Sequence, residues 1–203
     1  MKLNLKDIAK YLFPVKRLFK NFQKIKSLDQ LKNFIQEQSS QVTQMTLYGY
    51  LKTRMGAKHV LMFEEEEYLK SINLAKWNIY SIALIDCVFY CSSFLYNTKK
   101  LKNIEISKKI FYEIIEIERG NGMSQKICEE AKKEFDIRYN EINWTSHFSD
   151  NPFKNSSTAL YDWAPVADEL KKLDKQIVIN SMMLKWHNVQ LDFKKKTDEF
   201  EEV

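Results

Sequence analysis

IYSIALIDCVFYCSSFLY, residues 79–96, is the most apolar stretch of the chain, and its reading decides the fold. Its 18 residues barely reach spanning length for a bilayer, and Ser81, Asp86, Ser92 and Ser93 interrupt them. The stretch therefore reads as the centre of a core helix rather than a membrane span. Upstream, the carboxylates of residues 64–67 suit the positive end of a helix dipole. One helix from there to residue 96 would extend roughly 50 Å. With only 4 glycines and 3 prolines in 203 residues, the chain lacks the frequent turns that a many-stranded sheet requires. Hydrophobic residues at 44% supply enough apolar surface for one ample core.

The flanking segments extend the helical pattern. Ser27 with Gln30 three residues on forms a capping box for a helix that Gly56 stops. Leu28, Leu31, Phe34, Ile35, Val42, Met45 and Tyr48 make its seam. A helix over residues 104–118 follows, with Ile110, Phe111, Ile114, Ile115 and Ile117 as its apolar residues and Gly120-Asn121-Gly122 as its end. Ser124 opens another, with Ile127, Cys128, Ala131, Phe135 and Ile142 on one face. Residues 143–163 mix polar residues with Trp144, Phe148, Phe153, Tyr161 and Trp163, and read as a long loop pinned by its aromatics. Pro165 suits the first turn of a last helix, whose buried seam would be Val166, Leu170, Leu173, Ile177, Leu184 and Leu191. Its acidic tail, residues 198–203, is expected to fray. The expectation is an all-α protein, an irregular bundle of five or six helices over residues 27–203 with a basic amphipathic N-terminal helical arm over residues 1–26.

The arm stands out by charge. It holds eight basic residues against Asp7, a net +7 in a chain of net +5, so the remainder sums to −2. A nucleic-acid-binding body would carry its basic footprint on the folded domain, so that class is disfavoured. Leu5, Ile8, Leu12, Val15, Phe19 and Phe22 form an apolar stripe that Pro14 kinks. Such a stripe covers a core, lies in an anionic membrane surface, docks on a protein partner or serves as a targeting peptide. For membrane or partner binding the residues are Lys16, Arg17, Phe19, Lys20 and Phe22. Cys87, Cys91 and Cys128 are odd in number and follow no cleavable signal sequence, which fits a reducing compartment. The expected location is cytoplasmic, in peripheral contact with the cytoplasmic membrane face.

Catalytic motifs are scarce. A carboxylate di-iron bundle needs Glu-x-x-His pairs, and none of His59, His147 or His187 has a glutamate three residues before it. Cys87 and Cys91 share a helix face, but no second ligand pair has compatible spacing, so no metal is expected. Phosphate-cradling glycine loops do not occur, so no cofactor is expected either. Asp86, a carboxylate inside the most apolar segment, must be paired, exposed or shifted in pKa. Thr46-Leu47-Tyr48-Gly49-Tyr50-Leu51-Lys52-Thr53-Arg54-Met55-Gly56, with Ala75-Lys76-Trp77-Asn78-Ile79-Tyr80, resembles a family of uncharacterised bacterial all-helical proteins that sometimes carry an esterase label. That resemblance implies a hydrolase, although the G-x-S-x-G turn of α/β-hydrolases does not occur. Gly49 would let a neighbouring helix approach closely, and Lys52 and Arg54 complement the helix dipole or face an anionic ligand. The leading expectation is a non-catalytic scaffold, accessory or assembly subunit on a membrane surface or in a complex. The alternative is a small hydrolase or helical metal enzyme, with Asp86, His59, Tyr48, Lys52 and Arg54 as its polar site.

Overall fold

A computed structural model describes residues 24–56 and 65–201. These form an all-α bundle of six helices with no strand among the described residues. Helix α1, Leu28–Met55, begins as its capping box dictates: the Ser27 hydroxyl accepts from the Gln30 amide, and the Gln30 side chain accepts from the Lys26 amide at 2.7 Å. Gly56 ends it at φ 56°, a conformation other residues reach only with strain. Helix α2, Glu66–Asn97, is the axis of the bundle. It is long and apolar enough to cross a membrane, yet from Ala75 to Leu95 only Ile82 and Phe94 escape full burial. Around it pack α3 (Glu105–Gly120), α4 (Gln125–Glu141) and α5 (Lys154–Trp163), while α6 (Asp168–Lys196) closes the bundle against α5 and α1.

Three expectations need correction. Residues 143–163 are not one loop: a short 3-10 turn, His147–Ser149, leads into α5. Helix α5 has few apolar residues, but Ser156 and Ser157 are fully buried, and both hydroxyls donate to the Phe153 carbonyl. Small side chains that satisfy themselves on their own backbone allow close packing on α2. Pro165 precedes the last helix rather than opening it; Asp168 and Glu169 occupy the first turn. The tail is held as far as Phe200, which is 2% exposed, while Lys100 donates to the Asp198 carbonyl at 3.0 Å.

The largest correction concerns α6. Its buried side is Val178, Met182, Trp186, Val189 and Phe193. Trp186 stacks on Phe153 at 4.2 Å, and Phe193 meets Phe34 at 5.3 Å and Tyr90 at 5.8 Å. The expected seam points outward instead: Leu170, Leu173, Ile177, Leu184 and Leu191 are 43, 78, 71, 62 and 45% exposed. Helix α6 carries two apolar stripes, and the aromatic one fills the space beside α2. Met45 and Ile117, also assigned to core seams, are likewise exposed.

Candidate functional site

Of the polar residues singled out from the sequence, the groove between α1 and α6 takes in Arg54. Asp174, on the first third of α6, accepts from the Tyr50 hydroxyl at 2.9 Å and from the Arg54 guanidinium. Arg54 holds the Asp174 carboxyl below the usual carboxylate range. Burial and the Asp174 charge raise the Tyr50 phenol. The groove encloses about 440 Å³, and Met45, Gly49, Ile177 and Lys185 contribute to its walls. The close helix approach expected at Gly49 does not occur: a Cβ there would meet nothing within 4 Å, so this glycine opens onto the groove. Tyr48 is half-buried, its phenol pushed up by desolvation, and Lys52 is exposed in the last turn of α1.

Hydrolysis in this groove would need an activated nucleophile. Three of its four hydroxyls are committed to their own helices, with Thr46 donating to the Val42 carbonyl, Thr53 to Gly49 and Ser181 to Val178, while the fourth, on Tyr50, donates to the Asp174 carboxylate. A hydroxyl locked on a backbone carbonyl has no base to take its proton. The groove combines the Arg54–Asp174 pair with apolar walls from Met45, Ile177 and Val178.

Asp86 lies elsewhere, with partners on α4 and α5. It is fully buried, accepts from the Arg138 guanidinium of α4, and takes the Ser156 amide at the start of α5 at 2.8 Å. Burial raises its carboxyl, against the opposing pull of Arg138 and Ser156. Arg138 also lies over the Phe89 ring at 5.3 Å, and the His147 ring packs edge-on against Phe89 at 6.1 Å. Burial first, and then the Arg138 charge, draw His147 down to about 4. These contacts pin three helices together and leave Asp86 closed to solvent.

A second interior cluster went unnoticed in the sequence. Glu118 of α3 is fully buried and accepts from Gln36 at 2.7 Å, Tyr80 at 3.0 Å and Asn121 at 3.1 Å. Nearby, the Lys76 ammonium sits 4.3 Å from the centre of the Trp77 ring, and burial draws it down to about 8 against the pull of Glu118. Gln36 and Lys76 both fall within apolar-rich helices, and no spacing rule marks such residues as interior. Cys87, Cys91 and Cys128 are free and buried, and burial pushes the Cys91 thiol up.

No protein family, curated protein or solved structure matches this chain. What the molecule does has to be argued from its own residues. Of those singled out in advance, Lys16, Arg17, Phe19, Lys20, Phe22 and His59 lie outside the described residues. Arg54 borders the groove, with Tyr48 and Lys52 on the same last turns of α1, and Asp86 is separate from them. Missed altogether were Asp174, which completes the Arg54 pair, and the outward direction of the α6 stripe. The i, i+3, i+7 spacing of that stripe was visible; its direction was not.

Proposed function

We propose that this protein acts without catalysing a reaction, as an accessory or assembly subunit that docks on a membrane surface or a larger complex. One observation carries the reading: five large apolar side chains, 43–78% exposed, run along one face of α6 while the opposite face is already packed. Single exposed leucines are ordinary on a soluble surface, but five aligned on one helix face mark an interaction face. The charge asymmetry adds to it. The basic segment joins the bundle at Ile25, whose amide donates to the Lys196 carbonyl at 2.8 Å, one end of that same helix.

The membrane form of the reading is tested with vesicles. The intact protein should sediment with anionic vesicles at low salt and progressively less as salt rises, because phospholipid charge is screened over a Debye length of about 10 Å at 0.1 M. Exchanging Lys16, Arg17 and Lys20 for glutamine should weaken binding mainly at low salt. Phe19→Ala with Phe22→Ala should weaken it at every salt concentration, since apolar insertion is not screened. No sedimentation at low salt would remove the membrane form and leave docking on a complex. A hydrolase is the competing reading, and one observation favours it: the segment resembling esterase-labelled proteins supplies Gly49, Tyr50 and Arg54 to the groove. Turnover of simple esters by the purified chain, lost in Arg54→Gln, would displace the docking reading.

A further inference from the structure

We infer that the α6 stripe is the contact surface for a second copy of this chain, with the two α6 helices packed antiparallel about a twofold axis; this rests on the docking reading above and names its partner. Leu170, Ile177, Leu184 and Leu191 recur every seven residues, with Leu173 between the first two, and all five are exposed. Seven-residue spacing keeps a row of side chains facing one partner helix along its whole length. The four heptad residues are symmetric about the midpoint between Asn180 and Ser181, which sets Leu173 level with Asn188. An antiparallel twofold at that point brings Ile177 of each copy level with Leu184 of the other, and Leu170 level with Leu191. The polar residues between them on this face, Asn180, Ser181, His187 and Asn188, are exposed.

Charge selects the orientation and the occupant. Asp168 and Glu169 are exposed at the start of α6, and Lys194 and Lys195 are exposed at its end. An antiparallel pair sets acid against base at both ends, whereas a parallel pair sets like against like. Two of the three lysines in the first half of α6 are turned aside: Lys171 donates to the Asp162 carbonyl at 2.9 Å, and Lys175 sits over the Tyr161 ring at 5.5 Å. The rival occupant is the basic segment of the same chain. A second copy brings Asp168 and Glu169 opposite Lys194 and Lys195, whereas residues 1–26 hold a single carboxylate, Asp7, and so offer those lysines little to pair with. The row is roughly 32 Å long and a helix about 10 Å wide, a footprint on the order of 300 Å². A stable interface takes about 800 Å² from each partner. The flank of α1 must therefore contribute, and Met45, 49% exposed where the groove borders α6, is placed to do so.

The test is the mass of the full-length protein in solution, by sedimentation or light scattering across a dilution series. Two chains per particle are expected, and Ile177→Asp with Leu184→Asp should give one chain with an unchanged helical spectrum, because both positions are mostly solvent-exposed. Cross-linking keeps the test independent of that variant's folding. Under oxidation Ser181→Cys should link to itself, Leu170→Cys should not, and a mixture of Leu170→Cys with Leu191→Cys should link across chains; the native thiols, being buried, stay out of the reaction. Self-linking of Leu170→Cys without the mixed product would overturn the antiparallel arrangement. A single chain at every concentration would overturn the inference itself. In that event a Leu184→Cys thiol slow toward reagents would assign the stripe to the basic segment. A reactive thiol, with vesicle binding lost in the double aspartate variant, would leave the docking reading standing without the second copy.

Discussion

Helices α2 and α6 are both long and both carry apolar residues at helical spacing, yet they are opposite in structure. Helix α2 is 32 residues long, and its second half is buried on nearly every side, so any rotation about its axis would have placed it in the core. Helix α6, at 29 residues, has two apolar stripes and buries only one. A helix apolar all round is placed by composition, whereas a helix with two stripes is placed by what its neighbours leave open. Beside α2 the rings of Phe153, Phe34 and Tyr90 receive Trp186 and Phe193. The aliphatic row is left outside.

The strongest way to break this comparison is to attack each helix at its inward face. Asp86→Ala in α2 would leave the Arg138 guanidinium buried without its counter-charge, and losing one member of such a pair costs about 3–5 kcal/mol. Chemical denaturation should show a shift of that size, whereas Asp86→Ala with Arg138→Met should recover part of it. Loss under 1 kcal/mol would mean that the pair is solvated. Trp186→Ala on the inner stripe of α6 empties the stack on Phe153 and should cost a similar amount, about 3–5 kcal/mol, read by chemical denaturation.

The legibility of the sequence follows the same division. Ser27, Gln30, Gly56 and Ser124 mark helix ends through local chemistry, and those ends stand where expected. The core role of residues 79–96 followed from composition alone. Helix α5 did not, because Ser156 and Ser157 resemble loop residues until burial against α2 is known. The Arg54–Asp174 pair was half legible: Arg54 was marked by its place in the last turn of α1, but Asp174 lies 120 residues away and no local rule couples them. Direction was the least legible property, since Leu173 and Trp186 both satisfy a helical period.

Acid provides an intermediate effect tied to the α2 side of the bundle. His147 is drawn down to about 4 in the folded chain, so the unfolded chain binds the proton first, near the ordinary histidine value of about 6.5. Stability is fully present above that value and is lost as pH falls from about 6.5 toward 4. Denaturation midpoints should drop across this window, and His147→Gln should flatten the slope. Asp174 adds nothing there: Arg54 holds its carboxyl below the ordinary range, so its contribution disappears only as pH falls below that range. Asp86 acts in the opposite sense: its raised carboxyl holds a proton more tightly in the folded chain than in the unfolded one, so its contribution is present at low pH and is lost as pH rises through the folded value. A midpoint unchanged between pH 7 and pH 5 would show that the His147 ring is solvated.

The smallest expected effect sharpens the comparison most. Leu173→Ser and Leu184→Ser change side chains that are 78 and 62% exposed, and surface substitutions of this kind usually stay within about 0.5 kcal/mol. The same exchange at Met182 or Val189, one turn away on the inner stripe, should cost several times as much, because it buries a hydroxyl in the core. The measurement has to be made by denaturation at high dilution. Any association through the stripe adds a concentration-dependent contribution by mass action, and dilution removes it. If the two serine variants match the parent at high dilution and fall below it as the protein is concentrated, the stripe is free on the single chain and covered only on association. A loss of more than 1 kcal/mol that persists on dilution would mean that the chain covers its own stripe, and α6 would then be buried on both faces, as α2 is.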